Sequence, residues 1–311
     1  MVGLRLERDG VSVRVAGPRA PVVEVAGRAH PWLTPSRADE PRDGEWTVSM
    51  GAGHTPLSDL IRVLPGTGAL VDEPNRVLVA DPADPSDALR LARAVLRRRL
   101  ARRGDLYLHA SAVDLGNGRA VALLADAGGG KTTTALSLLA SAGPAARLLS
   151  NDDLSVRLGE DGGRVLGLGW PRSVWIRAAS APLLRRAGAA VPDPPPDAPY
   201  AVYRPAEIAG LLGRGVAPYA DLGALVFLRL GGSGDGPARL TPYETATELG
   251  RHAQRADPDH PELDEFLPGP GPDPATLAGL AKRLPGYGLA LSPEALPGLA
   301  RTLGGLLNAL D

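Results

Sequence analysis

The residues able to do chemistry in this chain gather around one short stretch. Ala125 to Thr132 reads A-x-x-x-x-G-K-T, between an apolar run, Ala120 to Leu124, and a helix-forming run, Thr132 to Ala142. Strand, glycine-rich turn and helix in that order suit phosphate binding. Gly128, Gly129 and Gly130 let the backbone curl until several N–H groups face one point, where the helix dipole also favours an anion. Lys131 would bring its charge to the outer phosphates, and the Thr132 hydroxyl would ligate Mg²⁺. Asp126, Ala127 and Thr133 complete the candidate nucleotide-binding set. The pattern predicts a bound nucleotide.

Such a loop names a ligand but not a reaction. The N-K-x-D base reader of GTPases is absent, and so is the L-S-G-G-Q segment of ABC-type ATPases. A strand over 147–149 runs instead into Asn151-Asp152-Asp153. Adjacent carboxylates at a strand end can divide labour, one holding Mg²⁺ and the other taking the proton of an attacking hydroxyl. Asp152 is the candidate metal ligand beside Thr132, and Asp153 the candidate base. The same three residues would also suit a turn or a helix cap. Arg172, Arg177 and Arg204 are candidates for spreading the charge of a transferring phosphoryl group, though each also reads as a surface arginine. Trp170 and Trp175 read as fillers of a core or a base pocket.

The elements that must position these residues follow from periodicity. Residues 4–15 alternate apolar and polar around Asp9-Gly10, a hairpin signal. Short β runs follow at Val22–Val25, Trp46–Met50, Ile61–Leu64, Ala69–Asp72 and Arg76–Val79. Asp84-Pro85 starts a helix that runs to Gly104 and carries seven arginines between Arg90 and Arg103. A solvated basic face is the expectation there, with an acidic-peptide dock as the sharper alternative. Leu106–Val113 reads as one strand containing His109. Pro-rich residues 189–199 read as an irregular excursion over the surface. Leu222–Leu230 is a long apolar strand, and Thr241-Pro242-Tyr243-Glu244 has the form of a capping box. The domain expectation is a small β-rich N-terminal domain over 1–83, a connecting basic helix over 84–104, and a nucleotide-binding α/β catalytic domain over 105–311.

Composition bounds the partners. Lys+Arg 34 against Asp+Glu 35 leaves a net charge of -1 in 311 residues, so no global field draws the chain to nucleic acid or a membrane. Cys 0 excludes thiolate metal sites and a Cys nucleophile, and suits a reducing cytoplasm. No stretch approaches the roughly 18 apolar residues of a membrane span. A soluble cytoplasmic protein is expected, with room for a homo-oligomer.

His109, the loop ending in GKT, and Asp152-Asp153 together resemble the catalytic domain of HPr kinase/phosphorylase. More narrowly, they resemble the HPr kinase-like proteins of bacterial biosynthetic and peptide-tailoring gene clusters. The likeness covers about residues 100–311 and extends through Pro171-Arg172-Ser173-Val174, Tyr203-Arg204-Pro205 and Leu240-Thr241-Pro242. The resemblance implies a P-loop kinase fold akin to phosphoenolpyruvate carboxykinase, using ATP and Mg²⁺ to phosphorylate a Ser or Thr hydroxyl of a peptide or small protein. By position, Lys131, the Asp152–Asp153 pair and His109 match the family's phosphate-binding lysine, acidic pair and strand histidine; Arg172 and Arg204 join this catalytic set on the charge argument alone. Ala125 departs from the family's usual glycine, a change compatible with φ < 0. The Gly-rich segment linked to phosphorolysis is absent, which leaves the kinase direction. A small-molecule hydroxyl kinase and a non-catalytic ATP-binding adaptor are the alternatives.

Overall fold

The computed structural model describes residues 2–54, 57–58, 61–63, 69–116, 118–159, 163–231, 236–254, 263, 265–268 and 270–308. It is a mixed α/β protein of two compact units. Unit 1 comprises Met1–Gly104 with the described residues of Arg255–Gly271, and unit 2 comprises Asp105–Gln254 with Pro272–Asp311.

Unit 1 is built on seven strands: β1 (Val2–Arg8), β2 (Val11–Gly17), β3 (Thr34–Arg37), β4 (Trp46–Met50), β5 (Arg62–Val63), β6 (Leu70–Asp72) and β7 (Val77–Ala80). They lie in the order β3-β1-β2-β4-β7-β6-β5. Asp9 and Gly10 both take positive φ, 50° and 70°, as a tight turn between twisted strands needs. Two helices join this sheet, α1 (Arg19–Ala29) and α2 (Pro85–Ala101), so the unit is α/β and not β alone. The expected β run at Val22–Val25 lies inside α1. Val22, Val25 and Ala29 are its buried residues, and their spacing of three and four is helical despite the β-branched side chains. The run expected at Ile61–Leu64 shortens to Arg62–Val63, with Leu64 outside the described residues.

Helix α2 begins as expected, the Asp84 carboxylate accepting from the Ser86 N–H at 2.8 Å. Its basic face is solvated only in part, Arg102 and Arg103 being exposed. Arg93, Arg97 and Arg98 are buried, at 5%, 1% and 0% exposure. Arg99 donates to the Ser12 carbonyl at 3.0 Å, and Arg103, just past the helix, to the Asp9 carbonyl at 2.7 Å. Guanidinium groups here bind backbone oxygens, which a fork of five donors does well. Rather than merely connecting, the helix packs on β2, β4 and β7. Leu263 and Leu267 are buried, and Arg62 pairs with Glu265 at 2.7 Å while lying over the Phe266 ring, so this later segment belongs to unit 1.

Unit 2 holds an 11-stranded sheet. Its first elements are β8 (Leu106–Leu108), β9 (Ala110–Asp114), β10 (Arg119–Leu124), α3 (Lys131–Ser141), β11 (Arg147–Ser150), β12 (Leu154–Leu158) and β13 (Val165–Gly169). A separate ribbon, β14 (Val174–Arg177) with β15 (Tyr200–Tyr203), brackets α4 (Ala181–Arg186). There follow α5 (Pro205–Leu211), β16 (Gly215–Val216), β17 (Tyr219–Leu230), β18 (Ala238–Arg239), α6 (Pro242–His252), β19 (Ala253–Gln254), α7 (Pro274–Arg283), β20 (Gly286–Leu291) and α8 (Leu299–Asn308).

Strands β10, β17 and β20 are parallel neighbours at the centre. Along β10, Val121 and Leu123 enter the core with Leu136 and Leu139 of α3. Ala120, Ala122 and Leu124 enter the opposite core with Leu249 of α6 and Leu280 of α7. Both faces are covered, which explains the unbroken apolar run in the sequence. The Thr241 capping box forms, with Thr241 Oγ1 accepting from the Glu244 N–H at 3.3 Å. Regular structure is absent over 189–199, as its prolines dictate, yet Ala189 and Val191 are buried in the core beside Leu184.

A candidate nucleotide site on the phosphate loop

The loop leaves β10 at Ala125 and re-enters regular structure at Lys131. Gly128 and Gly130 take φ of 78° and 88°, values that side chains rarely adopt. At Gly129 the reason is space, since an added Cβ would sit 2.7 Å from Ala125 Cβ. Ala125 itself does not have positive φ, so the departure from glycine there costs no strain. Gly130 is the N-cap residue of α3, and the helix N-terminus therefore opens at the curl.

Lys131 is only 5% exposed. Its Nζ donates to the carbonyls of Ala125 at 2.9 Å and Asp126 at 3.2 Å, and lies 3.5 Å from Asp152 Oδ1. Burial pushes the lysine below its ordinary value, and the neighbouring Asp152 opposes that push. The Thr132 hydroxyl donates to Asn151 Oδ1 at 3.0 Å. Ser111 of β9 ties the other side, donating to Asn151 Oδ1 at 3.4 Å and accepting the Asp152 N–H at 3.2 Å.

The acidic pair divides sharply. Asp152 has φ 58°, a left-handed conformation that Asp tolerates better than most residues. It lies on the wall of a cavity of about 360 Å³ together with Gly128, Gly129, Gly130, Lys131 and Thr132. Asp153, at 3% exposure, does not line that cavity, and its carbonyl accepts from the Ser150 hydroxyl.

The β14–β15 ribbon lines the same cavity through Trp175, Arg177 and Tyr200. Trp175 is 55% exposed and packs edge-on to Tyr200 at 5.7 Å, while Trp170 is fully buried, its Nε1 donating to Ser155 at 2.6 Å. Arg177 lies over the Tyr200 ring at 5.9 Å. Of the candidate arginines, Arg177 reaches the cavity. Arg172 lies near enough for its charge to depress both Lys131 and His109. Arg204 does not line the cavity; it is the N-cap residue of α5, its N–H donating to Glu207 at 3.2 Å.

His109 interrupts the strand expected over 106–113. Its N–H donates to the His252 carbonyl at 3.0 Å, which splits the run into β8 and β9. Burial, then the Lys131 charge, hold its imidazole below the ordinary 6.5, against the pull of Asp152. His252, at the end of α6, stacks on Phe227 at 6.1 Å and is likewise lowered by burial, with Asp126 opposing. Nothing in the sequence around His252 signalled this place beside the loop, because it depends on the pairing of β19 with β8.

Among the described residues, no group of three or more His, Cys, Asp or Glu is placed to hold a metal ion by itself. A phosphate-bound Mg²⁺ needs fewer protein ligands than that. The curl at Gly128–Gly130, the open helix end and Lys131 fit a phosphate chain; Thr132 fits its metal, and Asp152 on the same wall could serve either that metal or a reacting hydroxyl.

No family model matches this chain. No curated protein matches it either. Among solved structures, the chain is similar to the Hpr(Ser) kinase/phosphatase from Coxiella burnetii, at 11% identity and a TM-score of 0.34, over 65% of this chain and 96% of that one. No helix among the described residues is long and apolar enough to cross a membrane.

Proposed function

We propose that unit 2 is an ATP-dependent phosphotransferase of HPr kinase type that passes the γ-phosphate to a Ser or Thr hydroxyl of a peptide or small protein. The carrying observation is that Lys131 and Asp152, brought from separate elements, meet at 3.5 Å on the wall of the glycine-lined cavity. Residues 126–133 hold the phosphates through backbone N–H groups, and Lys131 exchanges its loop carbonyls for phosphate oxygens. An adjoining apolar cavity of about 160 Å³, lined by Leu183, Leu230, Leu291, Pro293 and Leu296, suits the base. Bound Mg²⁺ would be held by Thr132, whose hydroxyl lies beside Asn151, and would neutralise phosphate charge.

Asp152 is the acid of the pair that faces the cavity, and it takes the proton of the acceptor hydroxyl. Asp153 shapes the turn that presents it. Arg177 on the cavity wall and Arg172, whose charge is felt at Lys131, add positive charge to that of Lys131. The exposed Trp175 and Val202, directly paired across the ribbon, offer an apolar face to an acceptor larger than the cavity and so favour a peptide over a small metabolite.

The test is transfer from MgATP to a library of Ser- and Thr-containing peptides. Asp152→Asn should fold, bind ATP and lose at least about 10²-fold in transfer rate, as expected for a lost general base. Rescue of that variant by raised Mg²⁺ would reassign Asp152 to the metal. ATP-dependent stabilisation with no phosphorylated product would point to a binding adaptor.

A further inference from the structure

Burial alternates along the β14–β15 ribbon. Val174 and Ile176 of β14 enter the core while Trp175 and Arg177 are exposed, and on β15 Ala201 is buried beside an exposed Val202. One step beyond the Arg177–Tyr200 pair, Ala178 stands opposite Pro199 and donates its N–H to the Pro199 carbonyl at 3.3 Å. Hydrogen-bonded and non-hydrogen-bonded pairs alternate along an antiparallel ladder. Ile176 and Val174 therefore turn their backbone groups toward β15, and Trp175 and Arg177 turn theirs off the other edge of β14. Among the described residues no strand pairs with that edge, and neither of those two backbones has a partner there.

A row of unpaired N–H and C=O groups is a template for one more strand. This row adjoins the candidate site: β14 supplies Trp175, Ile176 and Arg177 to the cavity that Asp152 and Lys131 also line, whereas β15 supplies Tyr200 alone. On an added strand, side chains sharing the exposed face of the ribbon fall two residues apart. One meets Trp175, which pairs with Val202 across the ribbon. The other meets Arg177, which lies over the Tyr200 ring at 5.9 Å and has no carboxylate partner among the described residues. Cross-strand pairing favours an apolar side chain at the first position and an acidic one at the second.

We propose that the β14 edge takes an extended peptide, the acceptor of the transfer proposed above, as an added strand, with an apolar and an acidic residue two positions apart against Trp175 and Arg177. This rests on the peptide-kinase reading, so binding is measured apart from transfer. The probe is a labelled Ser-containing peptide with Leu and Glu two positions apart, followed by fluorescence anisotropy on Asp152→Asn without nucleotide. It should bind saturably. N-methylation of one alternate set of its amides should weaken binding at least about tenfold, the worth of one or two hydrogen bonds, and methylation of the other set should leave it unchanged. Because the chain is unaltered in that comparison, it does not depend on any ribbon variant folding. Trp175→Ala should cost about tenfold. Arg177→Glu should cost about fivefold, restored when Lys replaces the peptide's Glu. No saturable binding, equal losses from both methylated sets, or undiminished binding to Trp175→Ala would overturn the proposal. So would dimerisation that Trp175→Ala abolishes, which would give the edge to a second copy of the chain. Binding with the expected pattern but no phosphorylation by the parental chain would uphold strand addition and remove the kinase reading; phosphorylation of Ser peptides without that pattern would do the reverse.

Discussion

Each unit buries a charged side chain in an ion pair, and the two pairs are built to different ends. In unit 1, Arg5 grips Glu45 with two bonds, at 2.9 and 3.1 Å, and Glu45 also accepts from the Ser12 hydroxyl and from the Arg42 N–H at 2.9 Å. Burial would raise the Glu45 carboxyl, but these donors outweigh it and hold the group below its ordinary 4.5. Every partner is protein. In unit 2, Lys131 is as deeply buried, yet its pair with Asp152 is looser at 3.5 Å and lies against open space. A buried charge satisfied on all sides is architecture. A buried charge on a cavity wall, holding carbonyls that a stronger anion could replace, is a site.

The comparison can be broken from either side. The largest effect is expected in unit 1, where Glu45→Ala would strand the Arg5 guanidinium. Removing one partner of such a pair costs about 3 kcal/mol. Chemical denaturation should show that loss, while the MgATP-induced rise in melting temperature survives. A neutral Glu45→Ala would deny the pair its structural role.

Lys131→Ala should do the reverse. At ATP a hundredfold above Kd the parental chain gains about 2.7 kcal/mol from binding. The variant should gain none of it. If it shifts in melting temperature as far as the parent, the loop does not bind nucleotide.

Acid should separate the two kinds of burial with the smallest effect. His109 and His252 have folded values below 6.5, so the folded state binds fewer protons and their contribution is complete above 6.5. It declines as pH falls below that point toward the lowered folded values. Glu45 and Asp72 are lowered carboxylates, and their contribution persists to lower pH, being lost as pH falls from 4.5 and 3.8 through the folded values. A melting series from pH 8 to pH 3 should decline in two stages. His109→Gln with His252→Gln should flatten the upper stage, and Glu45→Gln the lower. A single stage that neither change alters would sink this assignment.

Contiguous chemistry was legible in the sequence. The glycines of the loop, the caps at Asp84 and Thr241, and the Asp9-Gly10 turn each depend on a few successive residues, and each formed as read. What depends on distant pairing was not legible. The break at His109 requires the His252 carbonyl, and the cavity's second wall requires β14 to pair with β15 across the irregular 189–199 segment. In sequence Asp152 suits the metal and Asp153 the base role, but a left-handed turn at Asp152 puts that residue on the cavity wall and leaves Asp153 buried away from it. The arginines of α2 misled for a related reason, because charge pattern alone does not show which of them will be buried or, as for Arg98 and Arg99, where backbone oxygens wait.

The packing of Ala125 against Gly129 also bears on how this loop can change by descent. A methyl group at position 129 would stand 2.7 Å from the Ala125 methyl and 3.0 Å from the Asp126 carbonyl oxygen. Emptying position 125 would relieve the first contact and leave the second, which is made by backbone. Drift through this loop therefore meets a fixed point: position 125 can exchange one small residue for another, while position 129 can take a side chain only if the turn at Asp126 shifts with it.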